Sequence, residues 1–203
     1  NSSLSEITNG NLDVVVDVRE NEEFDSLSND INSTVDTLKR YIAEAEARID
    51  EELKIAKLIQ YSSLPSRMME NENFDINAEM FTAKEVGGDF YDYYFLDENK
   101  VAFLVADVSG KGIPGAMFMM RAKTVIKNLT QSGLEIDEIF TKANEELCKN
   151  NEADMFVTAW MGILDLQTGN MKYANAGHNP PLLKRADGSF EYLRSRAGFV
   201  LAG

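Results

Sequence analysis

The sequence predicts an α+β fold: antiparallel strand pairs and amphipathic helices, preceded by a long helix of coiled-coil character. Three observations carry this reading. Between about Phe24 and Leu64 no proline or glycine interrupts the chain, and Val35, Leu38, Ile42, Ala45 and Ile49 alternate spacings of three and four. From Phe74 onward, short aromatic or apolar runs alternate with clusters of turn residues. Two later stretches place apolar residues at helical spacing.

Residues 1 to 23, NSSLSEITNGNLDVVVDVRENEE, read as a polar connector with one extended run, Leu12 to Val18, behind Gly10-Asn11. In the helix that follows, the step from Ile49 to Leu53 is four where three was due, so the seam stutters before resuming at Ala56. Its outward positions, among them Lys39, Arg40, Glu44 and Arg48, are charged all round, which favours a parallel dimeric coil over a single helix lying on its own domain. Pro65 ends the helix. Asp89 to Phe95 and Val101 to Ala106 read as strands of an antiparallel hairpin turning at LDENK. A helix follows from Pro114, with Ala116, Met117, Met120, Val125, Ile126 and Leu129 as its apolar face, and a second from about Glu135 to Asn150. Asp154 to Leu164 and Met171 to Asn175 pair around DLQTGN, and a further pair turns at Ala186-Asp187-Gly188.

Composition narrows the function. The chain has 203 residues, 44% of them hydrophobic, enough for a real core. Its 34 acidic and 20 basic residues give a net charge of −14, which repels phosphate backbones and anionic lipid. Nucleic acid and direct membrane binding are therefore excluded as expectations. The one cysteine, Cys148, excludes a disulfide framework, points to a reducing compartment and is expected to be a small buried hydrophobe. No apolar run approaches the roughly 18 residues of a membrane span.

The hairpin carries the chemistry. Asp89 lies nine residues before Glu98 and Asp107 nine after it, so a turn centred there sets the two aspartates opposite each other on one face. Facing carboxylates repel unless a cation lies between them, and oxygen-only ligands favour magnesium or manganese over zinc. The plainer alternative is a pair of solvated strand-end aspartates. After Asp107 the chain enters Ser109-Gly110-Lys111-Gly112, where Gly110 and Gly112 allow close backbone approach to a ligand and Lys111 is either a phosphate contact or a solvated loop lysine. SGKG is not a Walker loop. His178, in AGHNPP, reads as a structural hydrogen-bonder rather than a general acid, and Asp154 and Asp165 as strand-end residues outside the metal set. Met117, Met119, Met120 and Trp160 read as core or interface filler.

Two resemblances follow from these motifs. ITNGNLDVVVDVRENEEFDSLSNDINSTVDTLKRYI resembles the connector and second helix of a HAMP domain, which implies the cytoplasmic part of a membrane-anchored bacterial receptor whose membrane segment lies upstream. The tetrad Gly87-Gly88-Asp89-Phe90 invites comparison with the Gly-Gly-Asp-Glu-Phe turn of nucleotide cyclases, but Phe90 stands where that turn needs Glu. EVGGDFYD, ADVSGKGIPGAMFM, MFVTAWMGILD and YANAGHNPPLL, in that order, instead resemble the SpoIIE and RsbU group of metal-dependent serine/threonine phosphatases, relatives of the type 2C enzymes.

That resemblance implies two antiparallel sheets sandwiched by helices, with two manganese or magnesium ions between them. It assigns Asp89, Asp107 and the Val108 carbonyl as metal ligands, Asp107 as the bridging one, and a metal-held water as the nucleophile. It further implies a phosphorylated, anti-anti-sigma-like regulatory protein as substrate. The layout expected is a HAMP-like segment over 1–42, a coiled-coil linker over 43–73, where two registers of the stuttered helix could compete, and a phosphatase domain over 74–203. The family's two later metal-binding aspartates, one in a Thr-Asp-Gly turn, do not occur before the chain stops at AGFVLAG. Residues 1–203 alone are therefore expected to bind the second cation poorly and to turn over little. The alternative is a non-catalytic phosphoprotein-binding scaffold of the same fold, with a cyclase a distant third.

Overall fold

The computed structural model describes residues 2–17, 21–70, 72, 74–194 and 198–203. The chain divides into two compact units, Asn1–Lys54 and Ile55–Gly203. The division falls inside one long helix.

In the first unit, helix α1 spans Ser2–Thr8, where the sequence reading expected only polar connector. The fold there is local: the Thr8 hydroxyl donates to the Ser5 carbonyl, and Gly10, at φ 93°, turns the chain out of the helix. Residues 11–17 form no strand. Val16 is instead buried beside helix α2, Glu22–Ser62, and its N–H donates to Asn32 Oδ1 while Asn32 Nδ2 donates to its carbonyl, both at 2.9 Å. Val18, the end of the expected extended run, lies outside the described residues. Asn21 caps α2 by accepting from the Phe24 N–H at 3.0 Å, and Glu22, Glu23 and Asp25 place negative charge on its first turn. Val35 is buried, but Leu38, Ile42 and Ile49 are 45%, 47% and 54% exposed, so among the described residues the apolar seam beyond Val35 is left largely to solvent. No described helix is long and apolar enough to cross a membrane.

The second unit is α+β with antiparallel sheets, as expected. Strands β1 (Met69–Glu70) and β2 (Asp75–Ile76) form a small ribbon. Strands β3 (Phe90–Asp97), β4 (Lys100–Val108), β5 (Val157–Asp165) and β6 (Met171–Ala176) form one antiparallel sheet in that order. A second ribbon joins β7 (Leu182–Lys184) to β8 (Phe190–Tyr192). Helices α3 (Gly112–Gln131) and α4 (Ile136–Cys148) contribute Phe118, Met119, Ala122, Ile126, Ile139, Phe140, Ala143 and Leu147 to one core with Phe90, Leu104, Ala106, Val108, Val157, Ala159 and Met161 of the sheet. The sheet residues alternate along each strand, as a half-buried pleat requires. The opposite face carries Tyr91, Tyr93, Phe103, Val105, Trp160 and Tyr173, with the Trp160 ring 5.6 Å from Phe103 and 5.9 Å from Tyr173.

Two side chains depart from expectation. Cys148 is exposed, because the buried stripe of α4 runs Ile136, Ile139, Phe140, Ala143, Leu147 and residue 148 lies one step of about 100° beyond it. Of the methionines at the start of α3, Met119 is fully buried but Met117 is 69% exposed. Trp160 is buried, as read.

Candidate metal centre

The register of the β3–β4 hairpin positions the aspartates. Phe90 pairs with Ala106, so the next position outward sets Asp89 opposite Asp107. A register shift between Phe95 and Asp97 leaves Glu98 and Asn99 to turn the chain without disturbing the pairing beyond it. Both carboxylates share the sheet face opposite the helices, since Phe90 and Ala106 point into the core. Asp107 also pairs with Thr158 of β5.

The electrostatics follow from this opposition. The Asp107 carboxyl is pushed up to about 6, first by burial and then by the hydrogen bond and like charge of Asp89. A cation between the two carboxylates would relieve the repulsion that contributes to this shift.

The backbone beside them packs closely around the Val108 carbonyl. A Cβ at Gly88 would stand 2.8 Å from the Val108 carbonyl oxygen and 3.1 Å from Val108 Cβ, so any other residue would crowd that oxygen. Gly110 and Gly112 hold φ of 93° and 67°, which a branched side chain would not tolerate. Asp89, Asp107, Gly110, Lys111 and Gly112 join Thr82, Lys84 and Gly87 around a cleft of about 230 Å³. Two opposed carboxylates beside a main-chain carbonyl are a donor set that suits a hard divalent cation, and Asp89, Asp107 and Val108 are the residues that could hold it. Among the described residues no group of three or more acidic, histidine or cysteine side chains gathers at one point.

His178 lies near this centre. Its Nδ1 is 2.8 Å from the Thr158 hydroxyl, which itself lies 3.5 Å from the Asp107 carbonyl oxygen. The main chain of His178 is clasped by Asn175, whose Oδ1 accepts from the His178 N–H and whose Nδ2 donates to its carbonyl. Burial lowers the His178 pKa, with the negative charge of Asp89 opposing the shift. Asp154 and Asp165 do not line the cleft; Asp165 Oδ1 accepts from the amides of Gln167 and Thr168 in the β5–β6 turn.

Sequence reasoning missed Thr82, Lys84 and Gln60. The first two stand in a segment without periodicity. Gln60, near the end of α2, is 2% exposed, donating from Nε2 to the Gly87 carbonyl at 2.6 Å and accepting from the Gly87 N–H at 3.1 Å. An internal glutamine in an amphipathic helix gives no signal of such a contact.

The family described as Stage II sporulation protein E (SpoIIE) matches residues 97–202, more than half of the chain. The chain belongs to the SpoIIE family. Among relatives of this SpoIIE-family chain, the phosphoserine phosphatase RsbU of Bacillus subtilis (strain 168) is 30% identical over 157 residues, covering 77% of the chain and 46% of RsbU. The chain thus spans less than half of that relative's length. Among solved structures, the SiaA-PP2C domain of Pseudomonas aeruginosa superposes with a TM-score of 0.62 at 20% identity, over 78% of the chain and 65% of that domain. RsbX, solved in complex with magnesium, gives a TM-score of 0.52 at 20% identity over 68% and 66%. These two establish the fold of a PP2C-type phosphatase domain.

Proposed function

We propose that this SpoIIE-family chain is the phosphatase part of a signalling protein that hydrolyses phosphoserine or phosphothreonine on a regulatory protein of the anti-anti-sigma kind. The single observation that carries the reading is the opposition of Asp89 and Asp107 beside the Val108 carbonyl, in a chain whose relative RsbU is named a phosphoserine phosphatase. Asp89, Asp107 and the Val108 carbonyl are the holders of divalent cations, manganese or magnesium, of which the centre takes two. Bound there, such ions supply a nucleophilic water near neutral pH and neutralise charge on the phosphoryl oxygens. The chain's own residues do the rest. The hairpin fixes the carboxylates, Gly88 keeps the carbonyl clear, and Lys111 with the backbone of Gly110 and Gly112 lines the cleft where a phosphoryl group would sit.

Upstream, residues 1–42 act as the HAMP-like relay and 43–73 as the linker that passes its state to the phosphatase domain at 74–203. Two copies pair through the exposed seam of α2. The protein works in the cytoplasm. Its partner is a protein, not nucleic acid.

The deciding experiment is manganese-dependent hydrolysis of a phosphoserine peptide by the protein in its full natural length, beside its Asp107→Ala variant. Activity in the parent that disappears in the variant is the expected outcome. Inactivity in both, with the fold and manganese binding intact in the parent, would replace the reading by a phosphoprotein-binding scaffold.

A further inference from the structure

The segment that carries Asp89 has little to hold it. Ladder pairing in β3 begins only at Phe90, so residues 87 to 89 precede the strand. Val108 N–H reaches the Gly88 carbonyl at 3.4 Å, a long bond. Gly87 and Gly88 have no side chains with which to pack, and neither has room for one: a Cβ at Gly87 would stand 3.0 Å from Thr82 Cγ2, and one at Gly88 would meet Val108. A pair of glycines that must be bare, and must also be still enough to aim a carboxylate, needs an anchor from another element.

Gln60 supplies it. Its carboxamide presents a donor and an acceptor in one plane, and both are spent on the two main-chain polar groups of Gly87. The pairing imitates the exchange of hydrogen bonds between neighbouring strands and extends it where the ladder has stopped. The side chain is buried, so its amide has no water to turn to, and breaking the pair would strand three or four polar groups together.

We infer that Gln60 is a positioning residue of the metal centre: it fixes the Gly87–Gly88 backbone from helix α2 and thereby aims the Asp89 carboxylate at Asp107 and the Val108 carbonyl. This rests on the metal-centre reading above. Gln60 does not touch the ions or the substrate; its effect passes through one peptide unit and one glycine.

The test reads manganese binding rather than turnover. The metal-free protein of full natural length is titrated with Mn2+ and the free ion followed by electron paramagnetic resonance, for the parent and for Gln60→Met, Tyr61→Phe and Asp107→Ala. Gln60→Met keeps volume and helix propensity but removes both hydrogen bonds. Tyr61→Phe removes the neighbouring contact of the same helix turn, a 3.0 Å bond to the Met80 carbonyl, and so controls for loosened docking of the helix. Amide exchange at Gly87 is measured beside them.

The expected result is faster Gly87 exchange and manganese affinity weakened roughly 10- to 100-fold in Gln60→Met, the range typical of groups that orient metal ligands. Tyr61→Phe stays within about twofold of the parent, and the unfolding midpoints agree. Should Gln60→Met not fold, Gln60→Glu, which keeps the acceptor but not the donor, gives the same answer with a smaller loss. Parent-like affinity in the Gln60 variant, or an equal loss in Tyr61→Phe, would overturn the inference while leaving the metal centre standing. Absence of manganese binding in the parent would overturn the metal centre and the inference with it.

Discussion

Asp92 lies in strand β3 and Asp89 just before it, three residues apart, and the two meet opposite surroundings. Strand alternation turns Asp89 to the face of the metal centre and Asp92 to the helix face, where it is 2% exposed. There Asp92 Oδ2 accepts from Lys123 Nζ of α3 at 2.5 Å, while its Oδ1 accepts from the Tyr93 N–H at 3.0 Å. Lys127 Nζ lies 3.8 Å away and stands 4.8 Å above the Tyr94 ring. Burial is the main cause that pushes the Tyr94 hydroxyl up to about 12, so it stays a neutral neighbour to this carboxylate. Because Lys123 is also buried, Asp92→Ala would leave an uncompensated ammonium in the core. We expect it to cost about 3–5 kcal/mol in denaturant unfolding, and the double variant Asp92→Leu/Lys123→Met to recover most of that loss. A loss below ~1 kcal/mol in the single variant would show that the pair contributes little.

Helix α2 uses one device twice. Asn32 clasps the two backbone groups of Val16 in the first unit, and Gln60 does the same to Gly87 in the second. In each case a carboxamide on the helix holds a backbone segment that no sheet holds. Between them the helix carries its apolar seam to solvent, with Ile42 and Ile49 about half exposed. Exposed aliphatic residues at this spacing are best satisfied by a second copy of the same helix. The double substitution Ile42→Gln/Ile49→Gln should therefore convert a dimer to a monomer in sedimentation velocity. An unchanged mass would reject the coil.

At the scale of the whole molecule, an acidic chain with two opposed carboxylates should gain stability from cations that bind only the folded form. At a manganese concentration 100 times the dissociation constant the gain is about 2.7 kcal/mol, seen as a rise of several degrees in the calorimetric midpoint over a chelator-treated sample. Asp107→Ala should show no such rise, which separates binding at this centre from general screening of the net charge of −14.

What the sequence determined by itself was whatever depends on local spacing. The hairpin register was legible because equal arms about a turn fix which residues oppose, and the observed pairing of Phe90 with Ala106 is the arithmetic that set Asp89 against Asp107. The long helix, the strand runs and the helices on the sheet followed from periodicity, and four motifs in order identified the family. The tertiary structure decided what depends on residues distant in the chain. Helix α1 was hidden because it is seven residues long, and Leu4 and Ile7, its two apolar side chains, are too few to show a period. Cys148 was misplaced because a helical pattern names a stripe but not its edge, and one residue of rotation separates core from solvent. Gln60 could not be seen, since its meaning lies in a backbone 27 residues away. Hydrogen bonds to main chain leave no trace in the identity of the residue that receives them, and only folding brings the two together.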